Sequence, residues 1–298
     1  MSGRAARVLH AGRVFAESLQ KHKEGHKYHH GHALILSGPQ HFTGASRLAA
    51  RGALRIGAGL VTIGAEAAAL PEHAAQLTSI MLSELPDAAA LTEKLQDKRI
   101  IALCLGPGLG VDDRAKSLVE VAVRGDHAPY GVVLDADAIT ILSQEPDLFA
   151  ALHDKCVLTP HAGEFARLFP DIAEKLAEPA IKGPAYSKVD ATRDAAKRAG
   201  CVVLYKDADT VIADPQGRAA INSAHYERSA PWLATAGSGD VLAGFITGLL
   251  ARGFGPMQAA ETAAWLHVEC ALKFGPGLIA EDIPEQLPAV LSKLENRP

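Results

Sequence analysis

The stretch "APWLATAGSGDVLAGFITGLLARG", Ala230 to Gly253, decides how this chain is read: a run of small residues carries one carboxylate, Asp240, and opens into an apolar segment. Thr235, Ala236, Gly237, Ser238 and Gly239 let the backbone turn tightly and come close to a ligand. A helix starting at about Gly239 and running to 252 would present unpaired N–H groups and the positive end of its dipole. Ala236, Gly237, Ser238 and Gly239 are therefore a candidate anion hole for phosphate oxygens. Asp240 falls in the first turn, where a carboxylate is stabilised, and stands where a phosphoryl group would lie. From there it could take a proton from a hydroxyl attacking phosphorus. Behind it, Val241, Leu242, Phe245, Ile246, Leu249 and Leu250 share an apolar face, and Gly244 and Gly248 are expected to permit close contact with the sheet. Read alone, the stretch fits equally well an ordinary buried helix capped by Asp240.

The rest of the chain supplies the frame. Nearly unbroken apolar runs at Ala33–Ser37, Leu60–Ile63, Ile100–Leu105, Val132–Asp135, Cys156–Thr159 and Cys201–Tyr205 suit strands covered on both faces. Helical patterns near 44–57, 111–124, 162–169 and 187–199 separate them, the order of βαβ units with a mostly parallel sheet. Pro215-Gln216-Gly217 marks a β-hairpin. Helices follow at 239–252, at 257–273, and beyond Pro284, while 170–187 reads as a surface excursion and residues 1–25 as a peripheral lead-in to a single domain over 26–298.

Composition narrows the class. The 298 residues are 48% hydrophobic and 21% charged, enough apolar content for a substantial core. A formal charge of −4 offers no global field for nucleic acid or an anionic membrane, so an anionic ligand must be caught locally. Cys104, Cys156, Cys201 and Cys270 lie far apart with no CxxC pair, the pattern of buried free thiols in a reducing cytoplasm. No apolar span reaches about 18 residues, and the N-terminus lacks the apolar core of a leader, so neither a membrane nor export is expected. The histidines at 22, 26, 29, 30 and 32 lack cysteines or HxxxH pairs beside them and suit adventitious metal binding rather than a dedicated site.

Other blocks could carry chemistry. "LCLGPGLG" follows a strand, and Gly106, Gly108 and Gly110 allow close approach where a parallel strand ends. "VLDADAIT" ends a strand with Asp135 and Asp137, which would point the same way and either organise Mg²⁺ or hydrogen-bond a loop, the structural role being favoured. "LTPHAGEF" puts His161 and Glu164 in a strand-to-helix turn, Glu164 suiting the helix start or a hydrated Mg²⁺. "YKDADTVIADPQG" offers Lys206 at a strand end, followed by Asp207 and Asp209. Ala45, Leu48, Ala49, Gly52, Ala53 and Ile56 recur at helical spacing as a small-residue face, and Arg47, Arg51 and Arg55 opposite them read as a solvated basic stripe. No GxxxxGK[ST] loop is present, which excludes a P-loop enzyme.

With "AGSGDVLAGF" late in this order of elements, the chain resembles the ribokinase-like fold, a three-layer sandwich with a mostly parallel central sheet covered by helices on both faces. Within it, the chain is most similar to the NAD(P)H-hydrate dehydratases. The resemblance runs from about Lys27 to Leu287, on "HKYHHGHALILSG", "TGASRLAARGALRIGAGLVTIG", "LCLGPGLG", "VVLDADAIT", "LTPHAGEF", "KDADTVIADPQG" and "APWLATAGSGDVLAGFITGLL". It implies an ADP- or ATP-dependent hydro-lyase, ADP being favoured, that returns the S epimer of hydrated NADH or NADPH to NADH or NADPH, releasing AMP and phosphate, with Mg²⁺ as cofactor. By the same resemblance Ala45, Gly108, His161 and Asp240 contact the hydrate, Asp240 is the base, and Lys206, Asp207, Ala208, Asp209, Thr210 and Gly239 bind the nucleotide. No metal ligand is assigned. A homo-oligomer, with a tetramer among the options, and a separate NAD(P)H-hydrate epimerase are the implied partners. Two positions depart from the pattern: Asp207 and Ser37 stand where relatives commonly carry glycine. A kinase of the same fold acting on a hydroxyalkyl heterocycle, and a nucleotide-binding regulator without catalysis, are the rivals.

Overall fold

A computed structural model describes residues 5–10, 18–21, 26–124, 131–179 and 185–295. Among them ten strands form one sheet: β1 (Arg7–Val8), β2 (His32–Leu36), β3 (Leu60–Ala65), β4 (Met81–Glu84), β5 (Ile100–Leu105), β6 (Gly131–Leu134), β7 (Cys156–Leu158), β8 (Val202–Tyr205), β9 (Asp209–Ala213) and β10 (Ala219–Ser223). Their order across the sheet is β1-β10-β9-β8-β7-β6-β5-β2-β3-β4, and β9 alone runs against its neighbours. The apolar runs explain why the strands lie inside. Successive side chains alternate between faces, so Ala33 and Ile35 enter one core while Leu34 and Leu36 enter the other, and Ala102 and Cys104 separate from Leu103 and Leu105 in the same way.

One face is covered by the helices Gly44–Arg55, Ser238–Ala251, Pro256–Phe274 and Asp282–Glu295. The opposite face carries Ala88–Lys94, Asp113–Arg124, Ala136–Gln144, Pro146–Ala150, Ala162–Leu168, Pro170–Ala177 and Lys188–Ala199. The ribokinase-like three-layer arrangement expected from the sequence is present. Because β2, β5, β6, β7 and β8 are parallel, the loops after them gather at one edge of the sheet. The order reverses at β2 and β5, the place where open α/β sheets form ligand crevices.

Several expectations need correction. Gly244 and Gly248 do not face the sheet. A Cβ on Gly244 would overlap the Ala49 carbonyl oxygen, and one on Gly248 would stand 2.6 Å from the Ala53 carbonyl oxygen, so both glycines bring the Ser238–Ala251 helix against the Gly44–Arg55 helix. The supposed excursion at 170–187 begins as the helix Pro170–Ala177 with Ile172 buried; residues 180–184, Pro184 included, lie outside the described residues. Within the expected lead-in, β1 joins the sheet edge and Leu19 reaches the core, while 1–4, 11–17 and 22–25 lie outside the described residues, His22 with them. Arg51 and Arg55 are exposed, as the solvated stripe requires, and both also pair with Glu285 at 2.5 Å, while Arg47 bonds to Thr43 Oγ1 at 3.1 Å. The four cysteines are free and buried, and β9 and β10 form the hairpin expected around Pro215-Gln216-Gly217.

The glycine contact is testable. Gly244→Ala forces two helix backbones apart, and overpacking of this kind costs about 1–3 kcal/mol, more than the ~1 kcal/mol that alanine gains in a helix. The variant is expected to unfold at lower urea concentration than the wild type. Gly44→Ala, where an added Cβ meets nothing within 4 Å, is expected to be neutral or slightly stabilising.

Candidate active site

The site forms where the Ser238–Ala251 helix begins. Gly237 is its N-cap with φ 86°, a left-handed conformation that disfavours any side chain. Space excludes one as well, since a Cβ there would stand 2.6 Å from Leu48 Cδ1 and 2.9 Å from Ala280 Cβ. With no side chain at the cap, none satisfies the amides of the first turn. The Ser238 N–H turns back to the Thr235 carbonyl at 3.4 Å and its hydroxyl donates to the Leu233 carbonyl at 2.8 Å. The donors left for a ligand therefore centre on Gly239 and Asp240.

Beside this helix start lies a cluster of charge drawn from distant segments. Lys206, directly after β8, donates to Asp135 Oδ1 at 2.6 Å and lies 3.9 Å from Glu164 Oε2. A Cβ on Gly239 would stand 3.5 Å from the Lys206 Nζ, so this ammonium sits at the mouth of the turn. Burial works against its charge, but Asp135, Glu164 and Asp240 outweigh that and hold the Lys206 pKa above the usual lysine value. The Asp135 side chain is only 2% exposed. Asp240 is in the reverse position. Burial, then the negative charge of Asp135, push its carboxyl up to about 6, with Asp137 adding to the shift and Lys206 offsetting part of it.

Asp135 and Asp137 do not project together from a strand. β6 ends at Leu134, Asp135 is the N-cap of the Ala136–Gln144 helix, and Asp137 lies in its first turn. The two carboxylates therefore diverge: Asp135 holds Lys206, and Asp137 accepts the Gly110 N–H at 2.9 Å. The loop-bonding role expected of the pair is present at Asp137. His161 and Glu164 form a reciprocal cap, with His161 Nδ1 accepting from Gly163 and Glu164 while Glu164 accepts the His161 N–H at 2.8 Å.

A cavity of about 640 Å³ opens from this point. His161, Lys206, Asp207, Ala208, Thr210, Ser238 and Gly239 line it, as does His225, whose ring nitrogen lies 3.7 Å from the carboxylate of Asp209; Asp209 itself is not part of the lining. Its far wall is apolar, with Leu242, Ala264 and Val268. Asn222 and His267 also line it and were missed in the sequence. His267 sits in the apolar run "AAWLHVECAL", where one histidine reads as core. The Ala45 and Gly108 pair lies apart from the cavity lining: a Cβ on Gly108 would meet Ala45 Cβ at 3.4 Å and the Phe42 carbonyl oxygen at 2.9 Å. The structure thus joins Lys206, Gly239 and His161 in one cavity, and joins Ala45 to Gly108 beside the helix that packs on Asp240's own. Ala236 and Gly237 do not line the cavity.

Comparison with known proteins bears on this geometry. The family model described as NAD(P)H-hydrate dehydratase matches residues 33–288. The bifunctional NAD(P)H-hydrate repair enzyme of Moorella thermoacetica is 35% identical, over 97% of this chain and 54% of that protein. Its counterpart in Synechocystis is 38% identical over 83% of this chain and 45% of that protein. The chain thus spans about half the length of the curated relatives it matches. Among solved structures, a ribokinase-like superfamily protein of Enterococcus faecalis shares the fold with a TM-score of 0.81 at 23% identity, covering 97% of this chain and 96% of that one. The ADP/ATP-dependent NAD(P)H-hydrate dehydratase of Bacillus subtilis, co-crystallised with ATP and Mg²⁺, is similar with a TM-score of 0.75 at 25% identity, over 97% of this chain and 100% of that one. On a ribokinase-like α/β scaffold, with a glycine turn, a buried lysine and an aspartate at one helix start, this chain belongs to the NAD(P)H-hydrate dehydratase family.

Proposed function

We propose that the protein is a hydro-lyase that restores NADH or NADPH from the S epimer of its hydrate, using ADP, or ATP in its place, as phosphoryl donor and releasing AMP and phosphate when ADP is used. The carrying observation is Asp240, a half-buried carboxylate raised to about 6 at the start of a helix whose first amides are uncapped. In this reading Asp240 takes the proton of the C6 hydroxyl as that oxygen attacks the terminal phosphorus and the nucleotide leaves with the bonding pair. The Gly239 and Asp240 amides, with Ala236, Gly237 and Ser238 shaping the turn, and the Lys206 ammonium receive the charge on the phosphoryl oxygens. The ring nitrogen's lone pair then expels phosphate from C6, and loss of a C5 proton completes the dihydropyridine. Phosphorylation converts a poor leaving group into a good one.

Ala45, Gly108 and His161 are assigned to the hydrate, and Lys206, Asp207, Ala208, Asp209 and Thr210 to the nucleotide. A magnesium ion arriving with the phosphates needs only one or two protein carboxylates, and two, Asp135 and Glu164, stand around Lys206 beside the helix start. Asp135 and Glu164 would hold it, and it would neutralise phosphate charge. A kinase of the same fold would share the turn and Asp240, but the relatives support the dehydratase. No helix among the described residues is long and apolar enough to cross a membrane. Four buried free thiols support a reducing, cytoplasmic setting. A homo-oligomer, and an epimerase that supplies the S epimer, complete the proposal.

Two outcomes follow from Asp240. A base must be ionised to act, so kcat/KM for the hydrate is expected to fall about tenfold per pH unit below a pH of about 6; a flat profile from pH 5 to 8 contradicts the assignment. Its raised folded pKa also means that the folded state binds more protons than the unfolded state between about 4 and 6, so stability falls as pH rises through that window. Keeping the ionised carboxylate in place at pH 7 then costs ~3 kcal/mol. Asp240→Asn is expected to lose recovery of NADH absorbance by at least about a hundredfold while melting at a higher temperature than the wild type at pH 7.

A further inference from the structure

His267 is used by nothing in the mechanism above, yet it lines the nucleotide cavity and is only 7% exposed. Its Nε2 lies 2.9 Å from the Ser238 carbonyl oxygen. A carbonyl can only accept, so Nε2 carries the proton and Nδ1 is left with a bare lone pair. Burial, with the positive charge of Lys206 acting in the same direction, lowers the imidazole pKa to about 4 although the Ser238 contact opposes this, so the ring is neutral and Nδ1 stays an acceptor at physiological pH. Among the described residues the ring bonds through Nε2, and Nδ1 is not one of the enclosed polar atoms left without a partner, so it is open to the cavity. The other polar side chain on that wall is committed: Asn222 donates to the Ala264 carbonyl at 2.8 Å and accepts from Arg228 at 3.0 Å.

We infer that His267 Nδ1 is a specificity determinant that accepts a hydrogen bond from the nucleoside portion of the bound nucleotide, its ribose hydroxyl being the donor. This deepens the proposed function and rests on its nucleotide site. Position favours the sugar. The imidazole is bonded to Ser238, one residue from Gly239, where the transferring phosphate would be held, so Nδ1 faces the part of the nucleotide that follows its phosphates, the ribose. The exocyclic amine of adenine offers the same donor chemistry and lies further out. One ring thus does two things: Nε2 fixes the turn that grips phosphate, and Nδ1 checks what the phosphate is attached to.

The experiment measures nucleotide binding by calorimetry in the presence of Mg²⁺, with ADP, 2′-deoxy-ADP, 3′-deoxy-ADP and inosine diphosphate, on the wild type, His267→Gln and His267→Asn. A glutamine places its amide N–H near the position of Nε2 and keeps the Ser238 bond, while an asparagine places its carbonyl oxygen near Nδ1 and keeps the acceptor. The wild type is expected to bind one of the deoxy analogues about five- to tenfold more weakly than ADP. Asparagine should preserve that ratio and glutamine should abolish it. Weaker binding of inosine diphosphate alone, with both deoxy analogues bound as tightly as ADP, would put the donor on the base and overturn the assignment to the ribose. Equal affinity of the wild type for all four nucleotides, or undiminished discrimination in His267→Gln, overturns it. Failure of the wild type to bind ADP at all overturns the functional reading, and this inference with it.

Discussion

The backbone-to-backbone approach of two helices underlies the whole site. The Ser238–Ala251 helix carries Asp240 at its first turn, and the Gly44–Arg55 helix carries Ala45 at its own. Gly244 lies directly on the Ala49 carbonyl, Gly248 on Ala53, and Gly52 closes the contact from the other side, 3.0 Å from the Val241 carbonyl oxygen measured at an added Cβ. Side chains can adjust by rotating, whereas backbone cannot, so this contact fixes the relative height of Asp240 and Ala45 with little freedom. Both helices also rest on β2, and the Ser238–Ala251 helix rests on β5 as well, where the strand order reverses. The reversal is a consequence of topology; how closely the two helices meet beside it is set by three glycines.

Electrostatics then divides labour among the carboxylates. A single lysine cannot neutralise Asp135, Glu164 and Asp240 together. It pairs closely with Asp135, the most enclosed of them, and leaves Asp240 in a negative field. Burial raises Asp240 first, and the unequal split adds to it: an aspartate paired directly with lysine would be a weaker proton acceptor near neutral pH. Asp137 and Glu164 serve the local backbone, one taking the Gly110 amide and the other closing the cap at His161. A phosphoryl group entering beside Lys206 would bring still more negative charge and raise the proton affinity of Asp240 further, at the moment a base is needed.

How far the sequence discloses this differs by element. The central strands were legible because burial on both faces leaves almost no polar residue in them, as in "IIALCL" and "CVVLY". β4, "MLSE", was not, since as a short edge strand with exposed ends it lacks that signature. Asp240 and the glycine turn were legible because a helix start and a phosphate site share local chemistry. The Lys206–Asp135 pair, 71 residues apart, was not, because strand pairing rather than spacing brings it together. The partner of Gly244 was misassigned for the same reason: a glycine signals close approach but does not say to what. His267 was hidden by its apolar neighbours, and only the fold shows that it lines the cavity.

The central claim is that the hydroxyl to be lost is first phosphorylated, with Asp240 receiving its proton. The most direct measurement labels the C6 hydroxyl of hydrated NADH with ¹⁸O and follows the label by mass spectrometry after turnover with ADP. If that oxygen attacks phosphorus and the C6–O bond then breaks, the label must appear in inorganic phosphate. Recovery of the label in water would mean that the hydroxyl leaves without passing through phosphorus, and would contradict the account.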